Sequence, residues 1–109
     1  MRARPLKLYW LSTPDHDEDA FVVATRAGVA QRAHEEHQGY SRGTSTAELI
    51  GELTAEWQSF ELLYASRELL RAMGAEFPAA RVVKLGGKAY AIGDVDQSVR
   101  IESGEEPVH

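Results

Sequence analysis

Apolar residues recur with a period of two near both ends of the chain and with a mostly helical period between them. Over residues 6–13, Leu6, Leu8 and Trp10 alternate with their neighbours, which predicts a strand that Pro14 ends. A polar turn over 15–19 leads into the short apolar and β-branched run 20–24. These two segments predict a first β-hairpin.

A helix is predicted over residues 25–38. Ala27, Ala30 and Ala33 recur at a spacing of three, Thr25 is a suitable N-cap, and Gly39 supplies the left-handed residue that ends a helix. The predicted buried face is almost entirely alanine, so it contributes little apolar area of its own. Docking against a sheet must therefore stabilise this helix.

The centre of the chain allows two interpretations. Residues 46–53 alternate well enough to predict a third strand, although Ser45 or Thr46 is also a possible cap of a helix. Residues 55–73 have helical spacing and end at Gly74. A cap at Ser66 gives the alternative of a shorter helix over 67–73, with the preceding segment extended. Whether residues 46–63 are strand or helix stays open at this stage.

The clearest local signal is a closing hairpin. Residues 81–85 and 88–92 flank Gly86 and Gly87, and a Gly-Gly pair supplies the positive φ angles of a two-residue turn. This pairing sets Val83 opposite Tyr90. The predicted fold class is α+β: a two-layer sandwich of order ββαβαββ, with four to five mainly antiparallel strands and two helices on one face. We expect one globular domain over 1–101 and a fraying acidic tail over 102–109.

Composition limits the chemistry. The 109 residues are 43% apolar and 27% charged, which is typical of a globular domain able to fold without metal or disulfide. There is no cysteine, so thiolate zinc sites and cysteine nucleophiles are excluded. No leader and no membrane segment is expected, which favours a cytoplasmic location. The sequence predicts no cofactor.

The net charge of −5 is unevenly distributed. Between residues 34 and 76 there are eight glutamates and only three arginines. Nucleic-acid binding depends on neutralising phosphates with Lys and Arg, so this balance argues against a DNA- or RNA-binding role. A protein partner is compatible with it.

Histidines and aspartates suggest metal chemistry, but incompletely. His34 and His37 lie one helical turn apart and can share a divalent metal, with His16 as a third ligand. Two ordinary histidines on a polar helix edge explain the pattern as well. The aspartates at 15, 17 and 19 have calcium-loop spacing, but Ala20 and Arg26 occupy the glycine and glutamate positions of such a loop.

No serine-hydrolase elbow or phosphate loop is present, and we interpret the chain as a non-enzymatic protein-interaction module. It would use an acidic face, or a sheet edge through which it also forms a homodimer. The predicted partner-binding residues are Glu35, Glu36, Glu48, Glu52 and Tyr40. Two alternatives are a metal-binding domain or small metal-dependent enzyme, and an acidic nucleic-acid mimic that binds a DNA-binding protein with a stripe of charge.

Overall fold

The computed structural model describes residues 5–59 and 63–101. They form two antiparallel three-stranded sheets and three α-helices, which confirms the α+β class. None of these helices is long and apolar enough to cross a membrane. In chain order the elements are β1 (Lys7–Ser12), β2 (Ala20–Ala24), α1 (Ala27–Gln38), β3 (Thr46–Glu52), a 3₁₀ turn (Ala55–Trp57), α2 (Arg67–Ala72), β4 (Glu76–Ala79), β5 (Val82–Leu85), β6 (Lys88–Ala91) and α3 (Asp96–Val99).

The first sheet has the order β2-β1-β3, with β1 in the centre. On one face, the rings of Trp10, Phe21 and Tyr90 meet at centroid distances of 4.7, 4.9 and 5.1 Å, which joins this sheet to β6. Tilted and edge-on contacts of this kind suit the aromatic quadrupole and bury a large apolar area. Helix α1 contacts all three strands and covers the opposite face.

The second sheet has the order β4-β5-β6, so the prediction of one sheet with four to five strands is wrong for the described residues, which hold six strands in two sheets. The predicted order also lacks β4 and α3. Residues 76–79 were not predicted as a strand because Pro78 has no backbone N–H. The structure places Pro78 on β4, an edge strand, which is where sheets tolerate proline.

The outer edge of β2 is closed by a distant part of the chain. Val23 N donates to the Leu63 carbonyl at 3.0 Å, and Ala65 N donates to the Phe21 carbonyl at 3.2 Å. The buried side chain of Gln97 accepts from Phe21 N and donates to the Phe21 carbonyl at 2.7 Å. These bonds occupy the β2 edge, and the C-terminal hairpin pairs with β4 in a separate sheet.

Helix α1 confirms the predicted end at Gly39, whose φ is 79°. The predicted cap at Thr25 is wrong: the helix begins after Arg26, whose side chain makes no capping hydrogen bond. Its buried residues are Ala30, His34 and Glu35. The inner face is therefore partly polar rather than all alanine.

The central ambiguity is resolved by local capping. Residues 46–52 are a strand, so the helical alternative fails there. The long helix over 55–73 is also wrong. The shorter helix is confirmed, because Ser66 Oγ accepts from Leu69 N at 3.1 Å and caps α2. The extended segment predicted before it, over 56–63, is wrong at its start, where residues 55–57 form a 3₁₀ turn, and its residues 60–62 lie outside the described residues. The closing hairpin is confirmed as well, with Val83 opposite Tyr90 and positive φ angles at Gly86 and Gly87. The predicted tail, 102–109, lies outside the described residues.

Candidate functional site

The hydrogen-bonding direction of β2 fixes that of the whole first sheet. Phe21 and Val23 donate away from β1, to Gln97 and Leu63. Because this direction alternates along an antiparallel strand, Val22 turns its backbone groups toward its partner Tyr9 on β1. The residues of β1 on either side of Tyr9 consequently bond to β3.

This alternation turns some backbone groups of β3 away from β1. Trp10 bonds to its partner Glu48, so Ala47 and Leu49 turn their N–H and C=O groups away from β1. Within the described residues, no hydrogen bond from another element reaches these groups. Leu49 is 58% exposed, and it is the one large apolar residue of β3 with a mostly exposed surface. We call the N-terminal half of β3, residues 46–49, the free edge.

A β-bulge separates the free edge from the rest of β3. Tyr9 pairs with Leu49 while the adjacent Leu8 pairs with Gly51, so Ile50 is the extra residue. The bulge changes which side chains share a face. Glu48 pairs with Trp10 and Glu52 with Lys7, three residues away on β1, which places the two glutamates on opposite faces of the sheet. Strict alternation along a strand would put them on the same side.

A groove of about 330 Å³ runs beside the free edge, on the face that carries Glu48. Lys88 Nζ lies 3.3 Å from a Glu48 carboxylate oxygen and 5.4 Å from the centre of the Tyr90 ring. Burial, followed by the negative charge of Glu48, raises the pKa of Tyr90 above its usual value. The groove is lined by Glu48, Leu49, Ile50, Met73, Leu85, Gly86, Lys88 and Tyr90.

Glu35 has an internal role. Only 3% exposed, it accepts hydrogen bonds at Oε2 from Gly43 N at 3.0 Å, from Ser45 N at 2.9 Å and from Ser45 Oγ at 3.0 Å. Burial raises the pKa of this carboxyl, but the hydrogen bonds from Ser45 and Gly43 outweigh it and set the pKa below its usual value. A charged Glu35 thus fixes the loop that leads into β3.

The predicted partner-binding residues fall into two groups. Glu36 is exposed, and it lines a shallow depression of about 140 Å³ with Glu35, Tyr40, Arg32 and Arg42. The two arginines balance the two glutamates there, so the depression carries no net charge. Glu48 and Glu52 are exposed on β3, on opposite faces. The structure does not bring these five residues onto one acidic face, nor into the stripe that a nucleic-acid mimic requires.

The three histidines named as metal ligands have separate hydrogen-bond partners. His34 is fully buried and its Nε2 donates to the Glu18 carbonyl at 2.7 Å, which leaves Nδ1 without a partner. His37 Nδ1 lies 3.2 Å from the Tyr64 hydroxyl, and His16 Nδ1 lies 2.8 Å from Asp19 Oδ2. In residues 5–59 and 63–101, no group of three or more His, Asp and Glu side chains is arranged to hold a metal ion. The metal site stays a prediction.

In the loop before β2, aspartate side chains hydrogen-bond to the backbone of the loop and of its flanking residues. Asp19 is buried and accepts from Thr13 N at 2.8 Å, while Asp15 accepts from Asp17 N at 3.1 Å. Such side-chain to backbone bonds shape turns. Glu18 receives a hydrogen bond from the Tyr40 hydroxyl, and burial followed by the surrounding aspartates raises its pKa.

Sequence reasoning named Glu48 as a candidate partner-binding residue but did not select Ala47, Leu49 and Lys88, which lie beside it in the structure. The alternation that predicted a strand was the available signal. It does not show that this strand lies at an edge, because strand order depends on contacts distant in sequence.

Comparisons with protein-family models, with curated protein sequences and with solved structures give no match to this chain. The surface and backbone geometry therefore carry the functional argument.

Proposed function

We propose that this domain is a protein-interaction module that binds an extended segment of its partner at the free edge of β3. The observation that carries the proposal is that, within the described residues, nothing pairs with the outward backbone groups of Ala47 and Leu49. An added strand forms main-chain hydrogen bonds to such groups and gains specificity from pockets for alternate side chains. The groove that begins at Glu48 and Ile50 lies where those side chains would enter.

The contrast between the two edges of the sheet supports this role. Exposed edges promote aggregation, and proteins protect them with bulges, charges, prolines or covering segments. Here Gln97 and residues 63–65 cover the β2 edge, while the bulge at Ile50 interrupts the second half of β3. In the part of the chain that the structure describes, no segment covers residues 46–49, where Glu48 is the one charged residue and Leu49 exposes a large apolar side chain. An open edge of about 13 Å, at roughly 3.3 Å per residue, suits a short β-strand.

Photo-crosslinking tests the proposal. Benzoylphenylalanine replaces Leu49 in the full chain, the protein is irradiated in a lysate of its native host, and mass spectrometry identifies the crosslinked segments. The matched control carries the same group at Val99, which is 64% exposed. We expect one partner segment to be captured at Leu49 and not at Val99.

A proline variant shows whether the captured segment pairs with the backbone. Ala47→Pro removes an outward N–H without removing a ladder bond to β1, a position where edge strands tolerate proline. It is expected to abolish the crosslink at Leu49 and leave the fold intact. Glu48→Pro removes an inward N–H and is expected to destabilise the sheet. Crosslinks at Leu49 that survive Ala47→Pro, or that equal those at Val99, contradict the proposal.

A further inference from the structure

We infer that the free edge binds a second copy of this chain, so that two β3 strands pair antiparallel about a two-fold axis at Glu48. This inference rests on the proposed function and names its partner. It joins two three-stranded sheets into one six-stranded sheet. The case depends on register and on charge.

The register follows from which residues turn outward. In an antiparallel pair, hydrogen-bonded positions must have outward backbone groups on both strands. Pairing Ala47 with Leu49 of the second copy satisfies this condition twice, because the symmetry repeats the pair. Pairing Ala47 with itself brings in Ser45, which is buried and bonded to Glu35 and Gln31. Pairing Leu49 with itself extends into the bulge at Ile50. The register centred on Glu48 remains.

The charges around the axis complement one another. Glu48 would stand opposite Glu48 of the second copy, and like charges directly opposite destabilise a sheet. Each Glu48, however, has Lys88 at 3.3 Å, with side chains 45% and 60% exposed respectively. Two carboxylates and two ammonium groups then meet at the axis, and each Lys88 is placed to bridge both glutamates. A patch with both charges side by side is self-complementary, as a two-fold interface requires.

The apolar residues are consistent with the same arrangement. Ala47 and Leu49 lie on the face opposite Glu48, because their partners on β1 alternate with Trp10. In the proposed register, Leu49 of each copy stands beside Ala47 of the other. Pairing therefore covers the exposed Leu49 side chain on both copies.

Sedimentation equilibrium of the full chain at physiological ionic strength, over a wide range of concentration, tests the inference. We expect a monomer–dimer equilibrium that Ala47→Pro abolishes. Glu48→Lys places four cations at the axis and Lys88→Glu places four carboxylates there. Each single variant is expected to raise the dimer dissociation constant about tenfold or more, the range expected when charges of one sign are juxtaposed. The double variant E48K/K88E restores alternating charge and is expected to recover dimerisation.

Recovery in the double variant distinguishes a dimer paired through Glu48 and Lys88 from association through a different surface. A monomer at every concentration, a dimer that persists in Ala47→Pro, or a double variant no better than the single variants overturns the inference. None of these results decides the proposed function, because a crosslink from Leu49 to a different protein that Ala47→Pro abolishes still supports edge binding. Urea unfolding of each variant shows whether it is folded, and the exposed positions of Glu48 and Lys88 keep the charge series informative if Ala47→Pro does not fold.

Discussion

Replacing Glu35 by alanine tests whether a buried carboxylate sets the conformation of the loop before β3. The variant leaves three donors without their acceptor: Gly43 N, Ser45 N and Ser45 Oγ. Gly43 is exposed, so water can replace the lost bond there. Ser45 is 3% exposed, and its two donors have no such replacement.

The magnitude follows from those two donors. A buried polar group left without a partner costs about 1–3 kcal/mol. Two such groups give about 2–6 kcal/mol, and relief of the cost of burying a carboxylate offsets part of it. We therefore expect Glu35→Ala to lower the free energy of unfolding by about 2–4 kcal/mol, a large share of the roughly 5–15 kcal/mol typical of a domain.

Urea unfolding measures this change, and Glu36→Ala is the matched control. Glu36 is the next residue on α1 and is exposed, so its removal is expected to change stability by less than about 0.5 kcal/mol. Hydrogen exchange of the Ser45 amide is expected to accelerate in Glu35→Ala alone. Equal unfolding free energies for the two variants refute the structural role assigned to Glu35.

The pH dependence gives a second test of the same residue. The pKa of Glu35 is lower in the folded state than its usual value of 4.5. Its stabilising contribution is therefore complete above that value and is lost as the pH falls toward the folded-state pKa. Glu35→Gln removes the titrating group, so its stability is expected to fall less steeply with acid. Parallel acid profiles for the two proteins contradict this assignment.

Three further predictions concern buried contacts. Gly93→Ala is expected to lower the free energy of unfolding in urea by more than about 2 kcal/mol, because the added Cβ would lie 2.2 Å from the Asp17 carbonyl oxygen. Gly28→Ala is the control, since its Cβ meets open space and no loss of stability is expected. Gln97→Ala leaves two backbone groups, Phe21 N and the Ala65 carbonyl, without these partners, while the Phe21 carbonyl still accepts from Ala65 N. It is expected to cost about 2–4 kcal/mol in thermal unfolding. Burial lowers the pKa of His34, so the midpoint of its NMR titration is expected below 6.5. The folded state then favours the neutral imidazole, and stability is lost as the pH falls below 6.5. A midpoint above 6.5 contradicts this prediction.

Elements defined by local chemistry were predictable from the sequence. The turn at Gly86 and Gly87 and the helix end at Gly39 depend on backbone conformations that glycine adopts readily, so neighbouring residues suffice to locate them. The alternation over 46–52 left strand and helix as alternatives, of which the structure shows the strand. The division into two sheets was not predictable, because sheet assignment depends on contacts distant in sequence, such as that of Gln97 with Phe21 across 76 positions.

The candidate site was predictable only in part, for the same reason. Glu48 was selected for its charge, but the importance of Ala47 and Leu49 comes from the position of β3 at an edge. Glu35 was assigned to the surface because charged residues are seldom buried without partners. Its donors, Gly43 and Ser45, lie on a loop. The helical periodicity of α1 gives no sign that this loop packs against the helix.

The side-chain amide of Gln97 also determines how far the first sheet can grow. A sheet with two open edges adds copies without limit and forms fibres, because each addition presents a new edge. In this sheet Gln97 and residues 63–65 occupy the β2 edge, so two copies joined through β3 would present only occupied outer edges. Pairing through β3 would therefore extend this sheet to two copies and no further, with the Gln97 amide and residues 63–65 covering each outer edge.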